Sequence, residues 1–413
     1  MERAIVTPVA PGSRTTWGFS SAGRLIFGWD AAKELGPRLR ERQWRRVLVV
    51  SDPVLDQAGI VSRVCDMLKE SQLEVETFLG GEPEPSISAV ERAIEAARAV
   101  EPEVTVGLGG GSNMDMAKLT ALILTHGGKL SDYFGFGNVP GPLMPLACVP
   151  TTAGTGSEVS HAAVVTDPEQ HLKLSTLSQH LRPLLAVVDP ALTMSCPKKP
   201  TADSGMDALT HAIEAYTATH SRDMPVPVGG TYAYEGKHPI GDIFAEESLR
   251  LIGRHLSRVV QDPGNREART GMALAATLAG IAFSNCGVAL VHAMEYPVGG
   301  AVHVSHGEGN GLLLPYVMRF TLPARVPEFA RIAALLGENL HGLSEAEAAT
   351  RAIAAVERLR DESGLRPRLR DLGVLQSQLP EFARKCHSIT RLMTLTPRPP
   401  SMVDVLHVYE HAW

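Results

Sequence analysis

The sequence lacks the features that mark several protein classes. Its five cysteines are scattered and form no C-x-x-C pair, which excludes a disulfide framework or a zinc knuckle built on such pairs. It has no run of about 18 uncharged apolar residues, the length that a transmembrane helix needs, and no apolar run of signal-peptide length at its start. We therefore expect a cytoplasmic protein with reduced thiols and no membrane partner.

Positive charge is not concentrated in any part of the chain. The 39 lysines and arginines are outnumbered by 45 acidic residues, for a formal net charge of −6, and lie among acidic neighbours. A nucleic-acid-binding protein needs a basic surface, so nucleic acid is not an expected partner. In contrast, 413 residues of which 44% are hydrophobic suffice for a large core divided between two domains.

The first half alternates short β-branched runs with amphipathic stretches. The runs are VLVVSD (47–52), LEVETFL (73–79), VTVGLGGGS (104–112) and LACVPTT (146–152). Apolar residues at helical spacing, Ile60, Val64 and Leu68, follow the first run. This alternation predicts βαβ units in a doubly wound parallel sheet, the α/β architecture that binds dinucleotides.

The second half has the pattern of a mostly helical protein. Leu249, Ile252 and Leu256 recur at helical spacing, and the stretch 272–283 is alanine-rich and apolar. The segment SCPKKPTADSG after residue 194 contains prolines, which do not suit a helix interior or a central strand. We therefore predict an α/β domain at 1–195 and an all-α domain at 196–413.

A glycine-rich loop follows the strand at 104. Glycines let the backbone approach an anion closely, and the N-terminus of the following helix favours negative charge. The loop therefore predicts a phosphate-binding site, although a plain tight turn has the same pattern. The candidate cofactor-binding residues are Gly109, Gly110, Gly111, Ser112 and Asp115.

A second loop, PTTAGTGSE at 150–158, follows another predicted strand and carries several hydroxyl groups. Hydroxyls in that position can bind ribose or phosphate, or one of them, Thr155 or Ser157, can simply cap a helix. Two such loops at the ends of neighbouring strands favour a dinucleotide. The resulting candidates are Thr151, Thr152 and Thr155.

Asp52 stands where the first clear strand ends. A carboxylate there can accept hydrogen bonds from the adenosine ribose and repel a 2′-phosphate. The position predicts NAD rather than NADP as the cofactor. The alternative role is that of a turn-capping aspartate before Pro53.

Residues of the types that bind metals concentrate in two segments of the second half. In one, Asp207 and His211 are four residues apart on a helical stretch, so they project from one face. The other segment, 291–310, adds further candidates: His292, His303, His306, Glu295 and Glu308. Each residue alone has a structural explanation, but the combination predicts a metal site, and a carboxylate with imidazoles suits Fe(II) or Zn(II).

Four motifs together resemble a known family. GGGSNMDMAK, PTTAGTGSE, GMDALTHAIEAY and a pair of histidines separated by thirteen residues, His292 and His306, occur in the order found in iron-containing (group III) alcohol dehydrogenases. The resemblance implies an α/β dinucleotide-binding domain followed by an all-α domain, with metal and nicotinamide meeting in the cleft between them. It implies hydride transfer between an alcohol and a nicotinamide cofactor.

Carried over to matching positions, the resemblance implies four metal ligands and leaves out His303. The implied ligands are Asp207, His211, His292 and His306. The implied cofactor residues are Gly109, Gly110, Gly111, Ser112, Thr151, Thr152, Thr155 and, on the cofactor side, Lys173.

Tyr296 departs from the family pattern. Many members carry a histidine there that helps to relay the alcohol proton, and a tyrosine does not titrate near neutrality. Either Tyr296 takes part in the relay, or water and the ribose hydroxyl do so. We count His292, Tyr296 and His306 as the candidate catalytic residues.

Several features resemble one subgroup, the hydroxyacid-oxoacid transhydrogenases. They are ADSG before Met206, the dipeptide Tyr296-Pro297, the insertion at 220–243 and the segment LTPRPPS at 395–401. This resemblance implies hydride transfer from 4-hydroxybutyrate to 2-oxoglutarate through a retained NAD. Because these substrates carry carboxylates, a cationic residue is expected in the cleft, for which Arg182, Arg222 and Lys237 are equal candidates.

Two other interpretations stay open. One is an enzyme related to glycerol dehydrogenase or dehydroquinate synthase, which share the two-domain plan; the pair Asp207 and His211 with the second loop favours the alcohol dehydrogenases. The other is a non-catalytic nucleotide- or metal-sensing protein. The complete set of predicted metal ligands and loop glycines argues against this interpretation. In the enzyme interpretations we expect the substrate to be an alcohol, an aldehyde or a hydroxy acid. We also expect the chain to form a homodimer or a larger homo-oligomer.

Overall fold

The computed structural model describes residues 14–167, 172–225 and 232–413. Within these ranges the strands are β1 (Arg24–Phe27), β2 (Arg46–Val50), β3 (Glu74–Phe78), β4 (Val104–Gly109), β5 (Gly135–Phe136), β6 (Leu146–Pro150), β7 (Ala162–Asp167), β8 (Leu172–Leu177) and β9 (Leu185–Val188). Residues 226–231 of the predicted insertion, like the first thirteen residues of the chain, lie outside the described ranges.

The helices of the described ranges fall into a first group between the strands and a second group after them. The first group is α1 (Leu35–Glu41), α2 (Pro53–Gln57), α3 (Ile60–Glu70), α4 (Ile87–Val100) and α5 (Gly111–His126). The second group is α6 (Lys198–Thr217), α7 (Pro239–Gln261), α8 (Arg266–Cys286), α9 (Leu290–Val302), α10 (His306–Thr321), α11 (Val326–Leu335), α12 (Glu345–Glu362), α13 (Leu379–His387), α14 (Thr390–Leu395) and α15 (Met402–Ala412).

The main sheet is parallel and six-stranded, in the order β1-β9-β6-β4-β2-β3. The chain leaves β2 for β3 on one side and then returns to form β4 on the other side. In open α/β sheets the strand ends beside such a reversal form the ligand-binding crevice. The loops after β2, β4 and β6 therefore meet at one edge, and the predicted α/β architecture is confirmed.

Alternation along β2 shows why helices cover both faces of this sheet. Leu48 and Val50 pack with α4 and α5, whereas Val47 and Val49 pack with α3 and α1. Successive side chains of a strand point to opposite faces. A strand that is apolar at every position is therefore buried between two helical layers.

A second, three-stranded sheet in the order β5-β8-β7 was not expected from the sequence. In it, β7 and β8 are antiparallel and join Ala162 to Leu177 and Asp167 to Leu172. The sheet projects Lys173 toward the second half of the chain, because Lys173 pairs with Glu295 of α9.

The second half is helical, as predicted, and its helices share one large apolar core. The segment with prolines before Gly205 was, however, misjudged, since α6 begins at Lys198 and includes Pro200. Proline is tolerated in the first turn of a helix, where its missing N–H has no partner to lose. The division at 1–195 and 196–413 stays a prediction.

Contacts between the two halves place the second loop against α8. The guanidinium of Arg182 donates to the carbonyl oxygens of Val159 and Ser284 at 2.7 and 2.9 Å, and Thr277 of α8 donates to the Glu158 carboxylate at 2.8 Å. Because these groups are buried, their hydrogen bonds are weakly screened and hold the loop firmly. One wall of the cleft therefore comes from the first half of the chain, and the other wall comes from the second half.

Among the helices of the described ranges, none is by itself both long and apolar enough to cross a bilayer. The pair α8 and α9, bent by 105° relative to each other, meets the criteria of length and composition only when taken together.

Candidate metal and cofactor site

Helix α6 carries the first two predicted metal ligands, and their side chains are almost completely buried. Asp207 and His211 lie four residues apart on one face, with Nδ1 of His211 3.8 Å from Oδ2 of Asp207. The His211 ring stacks on Phe283 and on His292, with ring centroids 4.2 and 4.8 Å apart. Burial lowers the pKa of His211 to about 3, so its imidazole is neutral.

Helices α9 and α10 bring His292 and His306 to the same place. His292 lies in the first turn of α9, and His306 is the first residue of α10, after the capping residue Ser305. Ligand atoms of Asp207, His292 and His306 all lie within 4.8 Å of one another. His303, which the resemblance left out, lies exposed in the left-handed conformation at the end of α9.

Two buried carboxylates orient these histidines. Oε2 of Glu214 lies 2.5 Å from Nδ1 of His292, and Oε2 of Glu295 lies 2.6 Å from Nδ1 of His306. A carboxylate accepts a hydrogen bond from Nδ1–H, which leaves the lone pair of Nε2 directed away from it. This is the arrangement in which imidazoles bind metals.

Asn310 shows where the lone pairs converge. Its Nδ2 lies 2.9 Å from Oδ1 of Asp207, 3.1 Å from Nε2 of His306 and 3.3 Å from Nε2 of His292. Acceptors aimed at one point, with the buried and unpartnered Nδ1 of His211 beside them, suit a divalent cation. The donor set therefore fits the metal that the sequence predicts.

Electrostatics keep Asp207 ionised in this buried place. Burial disfavours its carboxylate, but the positive charge that His211, His306 and His292 carry when protonated, with the hydrogen bond from Asn310, outweighs burial and lowers its pKa. An ionised carboxylate among imidazoles provides the negative charge that a hard or borderline cation requires.

The glycine-rich loop lies at the end of β4, as predicted. Gly110 caps α5 without any side-chain hydrogen bond, so the first N–H groups of this 16-residue helix are available to an anion. A Cβ on Gly111 would lie 2.8 Å from Cγ2 of Thr155, so only glycine lets the second loop approach this closely. The two predicted cofactor loops are therefore in contact.

The second loop is tied to the first by polar side chains. The backbone N–H of Thr151 donates to the carbonyl oxygen of Gly109 at 2.9 Å, and the Ser157 hydroxyl donates to Asp115 at 2.6 Å. Ser157 begins a single 3-10 turn and does not cap an α-helix. The Asp115 carboxylate is engaged within the protein, since it also accepts from the backbone N–H of Val164 at 3.0 Å.

Asp52 has the capping role that was the alternative to cofactor binding. Its Oδ1 accepts hydrogen bonds from the N–H groups of Val54 and Leu55 at the start of α2, at 2.8 and 2.9 Å. Its Oδ2 accepts from Asn113 of α5 at 2.6 Å, which links it to the phosphate loop. A contact with the ribose stays a prediction.

One cavity of about 170 Å³ extends from the glycine-rich loop to the predicted metal ligands. The predicted site residues that line it are Gly111, Ser112, Asp115, Thr155, Lys173, Asp207, His211, His292, Tyr296 and His306. The others lie outside its wall: Asp52, Gly109, Gly110, Thr151 and Thr152. The cavity therefore joins the two sites that the sequence suggested separately.

Lys173 and Tyr296 stand between the two ends of the cavity. Nζ of Lys173 lies 2.8 Å from Oε1 of Glu84 and 3.2 Å from Oε1 of Glu295, and although burial opposes the charge, these carboxylates raise the pKa of Lys173. The ring of Tyr296 lies 6.1 Å from that of His306. Burial raises the pKa of Tyr296, so its phenol is neutral and can donate a hydrogen bond.

None of the three cations proposed for substrate carboxylates lines the cavity. Arg182 is used to join the two halves, Lys237 pairs with Asp242 at 2.6 Å, and Arg222 is exposed beside Asp223. Arg391, a cation that sequence reasoning missed, does not line the cavity either, but its charge acts on Tyr234 and Tyr296 of the cavity wall. Arg391 donates to the Ser175 hydroxyl at 3.2 Å, and its Nε is buried without a partner among the described residues.

Ser175, the partner of Arg391, lies two residues after Lys173 on β8, so the two side chains lie on the same face of the strand. Because Lys173 lines the cavity, this contact places Arg391 near it. Tyr234 and Tyr296 belong to the cavity wall. Burial raises the pKa of both phenols, and the positive charge of Arg391 partly counteracts this rise. No sequence signal pointed to Arg391 or Tyr234, since they come from segments far apart in the chain.

The fold and the candidate site are those expected of a dehydrogenase with a dinucleotide-binding cleft next to a metal site. Residues 22–190 match the family model for iron-containing alcohol dehydrogenase, and residues 230–413 match that for the C-terminal part of the Fe-containing family. The chain belongs to the iron-containing alcohol dehydrogenase family and is an oxidoreductase. The predicted family is therefore confirmed, and the non-catalytic interpretation is set aside.

Known proteins resemble the chain over nearly its whole length. The NAD-dependent methanol dehydrogenase of Bacillus methanolicus is 35% identical over 94% of this chain and 97% of its own. The mitochondrial hydroxyacid-oxoacid transhydrogenase of Bos taurus is 31% identical over 97% of this chain and 91% of its own. The crystal structure of a 1,3-propanediol oxidoreductase, 35% identical, superposes with a TM-score of 0.90 over 96% of this chain and all of its own.

Proposed function

We propose that this enzyme interconverts a short alcohol and its carbonyl compound with NAD, at a metal held by Asp207, His211, His292 and His306. The observation that carries the proposal is the single cavity that runs from the start of α5 to these ligands. The family relationship supports it, since a relative of 35% identity is an NAD-dependent methanol dehydrogenase.

The residues of the cavity divide the chemistry between them. A bound divalent metal supplies Lewis-acid polarisation of the substrate oxygen. Tyr296, neutral and beside His306, donates a hydrogen bond to that oxygen and belongs to the proton path. Gly111 and Ser112 bind the pyrophosphate at the start of α5, with Thr155 and Lys173 along the cofactor, so that hydride donor and acceptor are held in reacting geometry.

Fe(II) is the metal that we propose, with Zn(II) as the alternative that the same donors accept. The test is metal analysis of the purified protein together with NADH oxidation in the presence of simple aldehydes. Stoichiometric iron or zinc with turnover of an aldehyde supports the proposal. A metal-free protein with full activity contradicts it. The homodimeric or larger assembly and the cytoplasmic location stay predictions, and sedimentation analysis tests the first.

Cofactor preference depends on Asp52. We expect a higher kcat/KM with NADH than with NADPH. We expect Asp52→Asn to reduce this preference roughly tenfold, about 1.4 kcal/mol, because the charge that repels a 2′-phosphate is removed. Asparagine keeps the capping of α2 through its Oδ1 but loses the hydrogen bond from Asn113, so the melting temperature should fall only slightly. A native enzyme with the higher kcat/KM for NADPH would show that Asp52 does not select the cofactor.

A second candidate function is hydride exchange between a hydroxy acid and an oxo acid, such as 4-hydroxybutyrate and 2-oxoglutarate, through a retained NAD. Arg391 favours it, because a half-buried guanidinium whose Nε has no partner among the described residues, near Tyr234 and Tyr296, suits a substrate carboxylate. The similarity to the transhydrogenase of Bos taurus supports the same function.

Arg391→Met separates the two functions. If Arg391 holds a carboxylate, this variant should raise the KM for 4-hydroxybutyrate about tenfold or more, since a hydrogen bond to a charged group contributes roughly 1.5–3 kcal/mol. Its kcat/KM for 1-propanol should stay within twofold. Arg222→Met, which removes an exposed arginine, is the matched control. Equal losses with both substrates in Arg391→Met would exclude the carboxylate contact.

A further inference from the structure

Glu295 lies between the predicted metal ligands and the predicted cofactor lysine. Its side chain is fully buried. Oε2 lies 2.6 Å from Nδ1 of His306, and both carboxylate oxygens accept from Nζ of Lys173, at 3.2 and 3.3 Å. A single carboxylate is therefore shared by a residue of the metal site and a residue of the cofactor site.

The surrounding helices leave space for this carboxylate. A Cβ on Gly299, one turn further along α9, would overlap Oε1 of Glu295, and a Cβ on Gly309 of α10 would lie 2.7 Å from its Cγ. Glycine at both positions is thus what allows Glu295 to be buried between α9 and α10. Burial keeps the two bonds of Glu295 weakly screened by water and salt.

The contacts continue to the phosphate loop. Lys173 also pairs with Glu84 at 2.8 Å, and the backbone N–H of Glu84 donates to the hydroxyl of Ser112 at 3.2 Å. A continuous chain of polar contacts therefore runs from Ser112 through Glu84, Lys173 and Glu295 to His306. Glu214, which holds His292 in the same way, bonds among the described residues only to His292 and to the backbone N–H of Val291.

We propose that Glu295 is a positioning residue that couples metal binding to cofactor binding. This inference rests on the proposed function, which places a metal at His306 and the dinucleotide beside Ser112 and Lys173. A cation on Nε2 of His306 makes its Nδ1–H a stronger donor, so that Glu295 is held more by His306 and less by Lys173. The ammonium group of Lys173 is then freer to bond to the cofactor, and by linkage the cofactor strengthens metal binding equally.

The test measures binding at equilibrium. NADH affinity is determined by fluorescence titration of the metal-free protein and of the protein saturated with Zn²⁺, and Zn²⁺ affinity by competition with a chromogenic chelator. We expect Zn²⁺ to tighten NADH binding about fivefold or more in the native protein, within the usual range of coupling between sites. In Glu295→Gln, the ratio of the NADH affinity with saturating Zn²⁺ to the NADH affinity without metal should be close to one.

Glu214→Gln is the matched control, because it removes the same kind of carboxylate–histidine contact without touching Lys173. It should weaken Zn²⁺ binding about 10- to 100-fold, as losses of such partners do. Saturating Zn²⁺ should nevertheless tighten its NADH binding as much as in the native protein. If Glu295→Gln unfolds, Lys173→Met serves instead. It should bring the ratio of NADH affinities with and without Zn²⁺ close to one, and it should not weaken Zn²⁺ binding.

The outcomes distinguish this inference from the proposed function. A Glu295→Gln or Lys173→Met protein that keeps the native ratio overturns the coupling and leaves the proposed function intact, and so does a native protein that binds both ligands independently. A native protein that binds no Zn²⁺ overturns the metal site itself and, with it, the coupling.

Discussion

Replacing His292 with alanine should abolish metal retention and turnover together. Its Nε2 points toward Asp207 and His306, and ligand atoms of these three residues lie within 4.8 Å of one another, so alanine removes one of the donors that converge on the site. Losing a partner of a metal ligand already lowers activity or affinity about 10- to 100-fold, so loss of the ligand itself should exceed 100-fold. Metal content and kcat of the purified variant are the measurements.

The control for this variant is His303→Asn. His303 is exposed at the end of α9 in the left-handed conformation, which asparagine tolerates, so the variant should keep its metal and its rate. A His292→Ala protein without metal but with the native kcat would refute the assignment of the site. So would a His303→Asn protein that loses its metal.

Replacing Lys118 with methionine should be among the most destabilising changes outside the apolar core. Its side chain is fully buried, and Nζ donates to Ser157 at 2.7 Å, to Ser160 at 3.1 Å and to the carbonyl oxygen of Ala162 at 2.7 Å. It also lies 3.6 Å from Oδ1 of Asp115. Removing one partner of a buried ion pair costs about 3–5 kcal/mol, because the other charge is left without compensation.

The measurements for Lys118→Met are the denaturation midpoint and NADH affinity. Both should fall, since Lys118 joins α5 to the second cofactor loop. Lys33→Met, at a largely exposed lysine, should change stability by less than about 0.5 kcal/mol. Adding Asp115→Asn to Lys118→Met should restore part of the lost stability, because the Asp115 charge that Lys118 compensated is then removed as well. A double variant as unstable as Lys118→Met alone would argue against the ion pair.

Sequence periodicity predicted much of the fold, because that part depends on local patterns. The β-branched runs marked β2, β3, β4 and β6 to within two or three residues, and the apolar spacing after Asp52 marked α3. The small sheet was missed, since β5 has only two residues, too few to show the alternation of a strand. The first turn of α6 was misjudged because Pro200 was treated as a residue of a helix interior.

The candidate site was predictable where its members lie close together in the chain or share a motif. Asp207 and His211 are one helical turn apart, and Glu214, which was missed, follows on the same face at a spacing that the sequence displays. Asn310 is similarly one turn after His306. Arg391 and Tyr234 carry no such signal, because their neighbourhood arises only when distant segments pack together.

The sequence by itself determined the family, the two glycine- and threonine-rich loops and the helix that carries Asp207 and His211. These depend on residue types at short spacings, which local backbone geometry converts directly into structure. Only the tertiary structure decided that Glu295 faces both His306 and Lys173. That contact joins α9, α10 and β8, and contacts between elements far apart in the chain depend on the packing of the whole core, for which no local spacing is a guide.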